Sequence, residues 1–217
     1  MQFREGANVF TSEGQKVGEV DRVVIDPQTK EVTHVVVQKG FLLTTDKVVP
    51  VSLVGAATEN RVTLREDAGD LEALPEFEVK HYVPIGEAEM HRKPEPGYVP
   101  SFYLYPPAGV SWWTTPGGYP IPPYVVETER HVPEGTVPLK EGAEVVSLDG
   151  DHMGDVEAVL TDPEEDRATH LLISQGLLLK ENKLIPTTWV STVLEDEVHL
   201  MVGSDLLKRL PEYHLST

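Results

Sequence analysis

The sequence predicts an all-β protein: two tandem small β-barrels related by internal duplication, each followed by a short helical piece and joined by a long segment rich in proline and aromatic residues. Three observations carry that expectation: a gapless internal repeat, short apolar runs separated by turn residues within each repeat, and an abrupt change of composition between them. The stretch from Glu5 to Pro50 recurs 136 positions later. Glu5, Gly6, Gly18, Asp26, His34, Gly40, Lys47 and Pro50 reappear as Glu141, Gly142, Gly154, Asp162, His170, Gly176, Lys183 and Pro186, and the register persists through Glu59, Val62, Leu64, Leu71 and Leu74, answered by Glu195, Val198, Leu200, Leu207 and Leu210. A fixed period held over such a length marks a duplicated module. The chain therefore divides into residues 1–81, a connecting segment 82–137, and residues 138–217. A unit of this size buries only about 60% of the surface its unfolded chain exposes, so contact between the two repeats is expected.

Within the first repeat, residues 7–10 form a short apolar run closed by a turn at Gly14, where glycine supplies positive φ. Residues 17–25 alternate in their first half and become continuously apolar in their second, as a strand does on entering a two-sided core. Gly18 and Gly154 lie inside this strand, where glycine costs stability, so both are expected at a bulge or a sharp bend. Asp26-Pro27 and Asp162-Pro163 open hairpin turns. The β-branched run at residues 32–38 and its counterpart at 168–174 are the next strands. A turn at Gly40 follows. Pro50 and Pro186 cannot donate to a ladder, which places the strands they belong to at an edge or a bend. Residues 61–64 and 197–200 read as last strands, and residues 70–74 and 205–210 as one short helical piece each.

The run Gly18-Glu19-Val20, then Val23-Val24-Ile25-Asp26-Pro27, then Val32-Thr33-His34-Val35-Val36-Val37 resembles the PRC-barrel family, and Gly154-Asp155-Val156 through Thr169-His170-Leu171-Leu172-Ile173 resembles it equally. The family's pattern is a G-x-V strand, an apolar run ending in Asp, a turn, and a strand containing apolar-x-His-apolar. The resemblance covers both repeats and leaves the middle unaccounted for. It includes a photosynthetic reaction-centre subunit's cytoplasmic domain and a ribosome-maturation factor, and it implies an adaptor rather than an enzyme.

The middle segment carries most of the prolines together with Tyr98, Phe102, Tyr103, Tyr105, Trp112, Trp113, Tyr119 and Tyr124. Proline removes donors and restricts its predecessor, so residues 82–137 are expected to lack regular secondary structure and to run extended or polyproline-like. Concentrated aromatics are atypical of disorder. Much of residues 98–124 is accordingly expected to lie against one or both barrels. A brace, a partner-binding surface and a tether remain the three readings, and these eight aromatics are the candidate partner- or ligand-binding residues.

The net charge of -18 divides as -5 over residues 3–77, -3 over 78–138 and -10 over 139–217. Nucleic-acid binding draws its affinity from clustered Lys and Arg, so no nucleic-acid partner is expected. The absence of cysteine removes disulfides and thiolate chemistry. No run approaches 18 apolar residues and the N-terminus is charged, so a cytoplasmic protein without a transmembrane segment is expected.

His34 and His170 lack a neighbouring His or carboxylate two or four residues away and read as structural histidines, not metal ligands. Asp149 to Asp155 faintly resembles a calcium loop, but Met153 stands where an oxygen ligand belongs, so it reads as an acidic turn. Serines lack a G-x-S-x-G context and no phosphate-cradling glycine loop is present. The expectation is a non-enzymatic adaptor without cofactor, catalytic residue or metal, working through protein–protein association, with a homo-oligomer open. The rival expectation is a small-molecule module using a cleft between the barrels lined by the aromatic segment.

Overall fold

The computed structural model describes residues 1–38, 45–69, 71–84, 124–162, 164–175 and 181–214. Met1–Phe77 together with His131–Thr217 form one compact unit, and Glu78–Arg130 form another.

In the first unit the two repeats build two sheets of the same topology. The first repeat supplies β1 (Gln2–Arg4), β2 (Asn8–Phe10), β3 (Lys16–Ile25), β4 (Val32–Gln38), β5 (Lys47–Pro50), β6 (Val54–Thr58) and β7 (Arg61–Leu64). The second unit holds β8 (Glu78–Pro84) and β9 (Tyr124–Arg130). The second repeat supplies β10 (Val137–Lys140), β11 (Glu144–Val146), β12 (His152–Thr161), β13 (Ala168–Gln175), β14 (Glu181–Pro186), β15 (Val190–Val193) and β16 (Glu197–Leu200). Strand order is β5-β4-β3-β2-β7-β6 in one sheet and β14-β13-β12-β11-β16-β15 in the other.

The first strand of each repeat lies in the sheet of the other. β1 pairs antiparallel with β12, setting Phe3 against Val159, and β10 pairs antiparallel with β3, setting Leu139 against Val23. These two ladders are the same ladder displaced by the repeat. A long β3 leaves its edge open beyond the short β2, and β10 fills it; β1 does the same for β12 beyond β11. The exchange closes again at the far turn, where the Val32 amide donates to Asp166 O (2.9 Å) and the Ala168 amide to Lys30 O (2.8 Å). Each contact thus has its mirror, as in an isologous interface, here within one chain.

The core reflects the exchange. Phe3, Val9, Val35, Val49, Leu139, Val145, Leu171 and Ile185 belong to one continuous buried cluster drawn from both repeats. The continuously apolar half of β3 is explained by burial on two faces: Val23 and Ile25 enter that cluster, while Val24 packs with Val36, Val48 and Phe77 on the opposite face.

Gly18 and Gly154 sit beside register shifts, and a Cβ on either would stand 2.3 Å from Gln38 O or 2.2 Å from Ser174 O. The neighbouring strand passes too close for any side chain. Pro50 and Pro186 end edge strands and lead into 3-10 turns at Val51–Leu53 and Thr187–Trp189.

A short helical piece follows each repeat, 3-10 at Leu71–Ala73 in the first and a helix, Ser204–Lys208, in the second. Two expectations are corrected. The sheets are open paths rather than closed barrels: β5 and β6, like β14 and β15, stay at opposite ends of their path, and the outer edge of β5 is taken instead by residues 75–77, with the Val48 amide donating to Pro75 O (3.0 Å) and the Phe77 amide to Asp46 O (2.7 Å). Residues 82–137 do contain regular structure: β8 and β9 form an antiparallel ladder from Glu78↔Arg130 to Pro84↔Tyr124, and β10 begins at Val137. The ladder is rich in Val and is tied by Arg130 Nε donating to Glu78 Oε1 (3.1 Å), while His81 Nε2 lies 3.3 Å from Glu129. Gly40 and its turn lie outside the described residues.

Lys47 and Lys183, which recur at the repeat spacing, are buried with relative exposures of 7% and 5%. Lys183 Nζ donates to Leu207 O (3.3 Å) and Lys208 O (3.4 Å), satisfying carbonyls at the end of the short helix; Lys47 Nζ donates to Leu74 O (3.1 Å). Lys183→Met keeps the stem and removes the ammonium from both carbonyls; Leu207 O still accepts from the Leu210 amide (3.2 Å), whereas Lys208 O loses this donor. Its expected cost is about 1–2 kcal/mol in urea unfolding, and an unchanged midpoint would refute the capping role.

Candidate functional site

Of the candidate residues read from the sequence, Tyr98, Phe102, Tyr103, Tyr105, Trp112, Trp113 and Tyr119 lie outside the described residues, and so does the expected packing of their segment. Tyr124 opens β9, opposite Pro84. His34 sits in β4 between Val24 and Pro50, and His170 in β13 between Leu160 and Pro186. Burial pushes the His34 imidazole below its ordinary pKa, as for a histidine held neutral in the wall of a sheet. Among the described residues no group of three or more His, Asp or Glu side chains is placed to hold a metal ion.

The structure instead draws chemistry to the seam where the repeats exchange strands. In each repeat a tight turn joins the exchanged strand to the next. The Ala7 amide donates to Arg4 O (3.2 Å) and the Ala143 amide to Lys140 O (3.4 Å), with Gly6 (φ 75°) and Gly142 (φ 79°) in the left-handed region. Glycine adopts that conformation at no steric cost. The turns bring Glu5 and Glu141 together, so that the Glu141 amide donates to Glu5 Oε2 (3.2 Å).

Ion pairs stitch the same place. Arg4 Nη1 donates to Glu59 Oε1 (2.8 Å) in its own repeat and Nη2 to Glu157 Oε2 (3.3 Å) in the other, while Nε lies 3.9 Å from Glu141 Oε1. Lys140 answers Arg4, reaching Glu195 (3.4 Å) and Asp196 (3.0 Å). Arg22 binds Asp21 (2.9 Å) and crosses to Glu195.

Carboxylates nevertheless outnumber cations. Burial, and then the charge of Glu157, push the Glu141 carboxyl up to about 7, against the opposing pull of Arg4. Burial and Asp21 raise Glu5 as well. Glu141 Oε2 is buried without a hydrogen-bond partner. Beside these groups opens a cleft of about 410 Å³, lined by Glu5, Gly6, Glu141, Gly142, Asp155, Val156, Glu157 and Ser174. Chemically, the arrangement places at the seam a carboxyl, Glu141, whose pKa is raised toward neutrality.

Sequence reading passed over these carboxylates. Their signal was present, since Glu5/Glu141 and Glu59/Glu195 recur at the repeat spacing, where a solvated surface has no need of a particular acid.

Residues 5–71 match the family model described as the PRC-barrel domain. No curated protein matches the chain. With the glycine-marked strand β3, its turn at Asp26 and the histidine-bearing β4 all inside the matched stretch, the first repeat belongs to the PRC-barrel family.

Proposed function

We propose that the protein is a non-enzymatic adaptor: a tandem PRC-barrel protein, duplicated within one gene, that works in the cytoplasm by holding a protein partner. The observation that carries this reading is the reciprocal exchange of β1 and β10. It joins the repeats into one body through their first strands and leaves the outer faces of the two sheets free to diverge. Such an object suits presentation of surfaces better than turnover. The strongly acidic balance argues against nucleic acid. A small apolar or aromatic ligand between the repeats is less well supported, because the described cleft there is lined by Glu5, Glu141, Asp155 and Glu157.

Affinity capture of the full chain from its native host at physiological salt, followed by light scattering of the reconstituted complex, tests this reading. The expected result is a stoichiometric complex with one protein. Capture of no protein, with a small molecule co-purifying in its place, would overturn the adaptor.

A further inference from the structure

The two repeats share a fold, so each position of one is an internal control for the other. Core positions keep their character across the repeat, but Leu148, Met201 and Leu206 are large, apolar and exposed (68%, 51% and 45%), whereas their counterparts are Ser12, Arg65 and Asp70. The fold does not require apolar residues at these places. Nor are they scattered. The Leu148 amide donates to Val202 O (2.9 Å), and the Ser204 amide, at the start of the short helix, donates to Asp149 Oδ2 (2.8 Å). These bonds gather the turn after β11, the end of β16 and the helix at one end of the second sheet. Leu194, also exposed, precedes β16 at its opposite end and lies apart.

Exposed Asp149 and Asp151 rim this end, Asp205 beside them is faced by Lys208 Nζ at 3.9 Å, and the second repeat carries -10 against -5 for the first. An occupant must therefore be apolar where it covers the patch and cationic around it. A second copy of this chain, at -18, brings like charge against like.

We propose that this end of the second repeat is a docking surface for a basic, amphipathic segment of a partner protein. Its apolar face covers Leu148, Met201 and Leu206, and its lysines or arginines meet Asp149 and Asp151. A methionine among the three suits such a site, because its unbranched side chain adapts to different apolar shapes. Clustered exposed apolar groups with a polar rim are the ordinary mark of an interaction surface. The proposal rests on the adaptor reading and narrows it to one face and one partner chemistry.

The test uses the full chain and the variant Leu148→Ser/Met201→Arg/Leu206→Asp, which installs the residues of the first repeat and leaves net charge unchanged. The single variant Leu148→Ser accompanies it. The probe is a fluorescein-labelled 14-residue peptide of Leu and Lys with Leu at helical spacing, compared by anisotropy with its Leu/Glu analogue. The Leu/Lys peptide is expected to bind, to lose at least tenfold affinity in the triple variant and a smaller factor in Leu148→Ser, and the Leu/Glu peptide not to bind.

Equal binding to wild type and triple variant would overturn the surface, since charge alone would then explain it. Equal binding of the Leu/Glu peptide would overturn the basic partner. A homodimer seen by light scattering and lost in the triple variant would make a second copy the occupant and overturn it too. If a host protein is captured equally by wild type and triple variant, the surface fails and the adaptor stands. If patch-dependent peptide binding is found but no host protein is captured, it is the adaptor reading that fails.

Discussion

Phe3→Ala is expected to destabilise both repeats together, by about 3–5 kcal/mol, the range for emptying a buried phenylalanine site. Phe3 has no exposed surface, belongs by sequence to the first repeat, and pairs with Val159 in the sheet of the second. The loss is large beside the total stability of a domain, about 5–15 kcal/mol. Leu139→Ala, at the mirror position against Val23, should act on the same transition, with the smaller cost of about 2–5 kcal/mol expected for an aliphatic side chain. Hydrogen exchange read by mass spectrometry separates the possibilities. In either variant the amides of β3–β4 and of β12–β13 should lose protection in step, because each substituted side chain comes from one repeat, sits on a strand paired in the other repeat's sheet, and is buried in the single core cluster drawn from both. Loss of protection confined to one repeat would show that the exchange does not couple them.

That coupling was the part of the fold least legible in the sequence. The repeat register and the alternation along β3 and β12 reveal the strands, and the proline that ends β5 and β14 reveals where they stop. The partner of β1 is another matter. Because β1 and β10 occupy equivalent positions, and β3 and β12 present equivalent edges, pairing within a repeat and pairing across repeats look alike in any local reading. Turns at Gly6 and Gly142 and the backbone contact between Lys30 and Ala168 decide between them, and those are properties of the assembled pair. β8 and β9 were hidden for a different reason: they flank a proline-rich stretch, and their ladder joins residues as far apart as Glu78 and Arg130, beyond the reach of a turn signal. The seam carboxylates were visible as repeated acids, but whether a glutamate is solvated or crowded against another depends on burial, which periodicity does not report.

The crowding has a measurable consequence in pH. Glu141 faces Glu157 on β12, Glu5 at the turn after β1, and Arg4 on β1; Asp155 lines the same cleft, and Lys140, Arg22, Asp21, Glu59 and Glu195 complete the seam. Its carboxyl is held at about 7 in the folded protein, above the ordinary value of 4.5. A raised acid binds its proton more tightly folded than unfolded, so its contribution is fully present below the unfolded pKa and is lost as pH rises through the folded one. The window runs from about pH 4.5 to pH 7, with Glu5 adding in the same direction. A full shift of that size corresponds to about 3 kcal/mol. With 26% of the Glu141 side chain still exposed, solvent screening reduces the expected loss to roughly 2 kcal/mol. Wild-type protein should therefore be less stable at pH 8 than at pH 5 by urea unfolding. Glu141→Gln removes the titration while keeping the shape, so it should flatten this decline and be the more stable protein at pH 8. Arg4→Gln removes the opposing charge and should steepen it. Parallel stability profiles for wild type and Glu141→Gln across this window would mean that the seam holds Glu141 as an ordinary, solvated carboxylate.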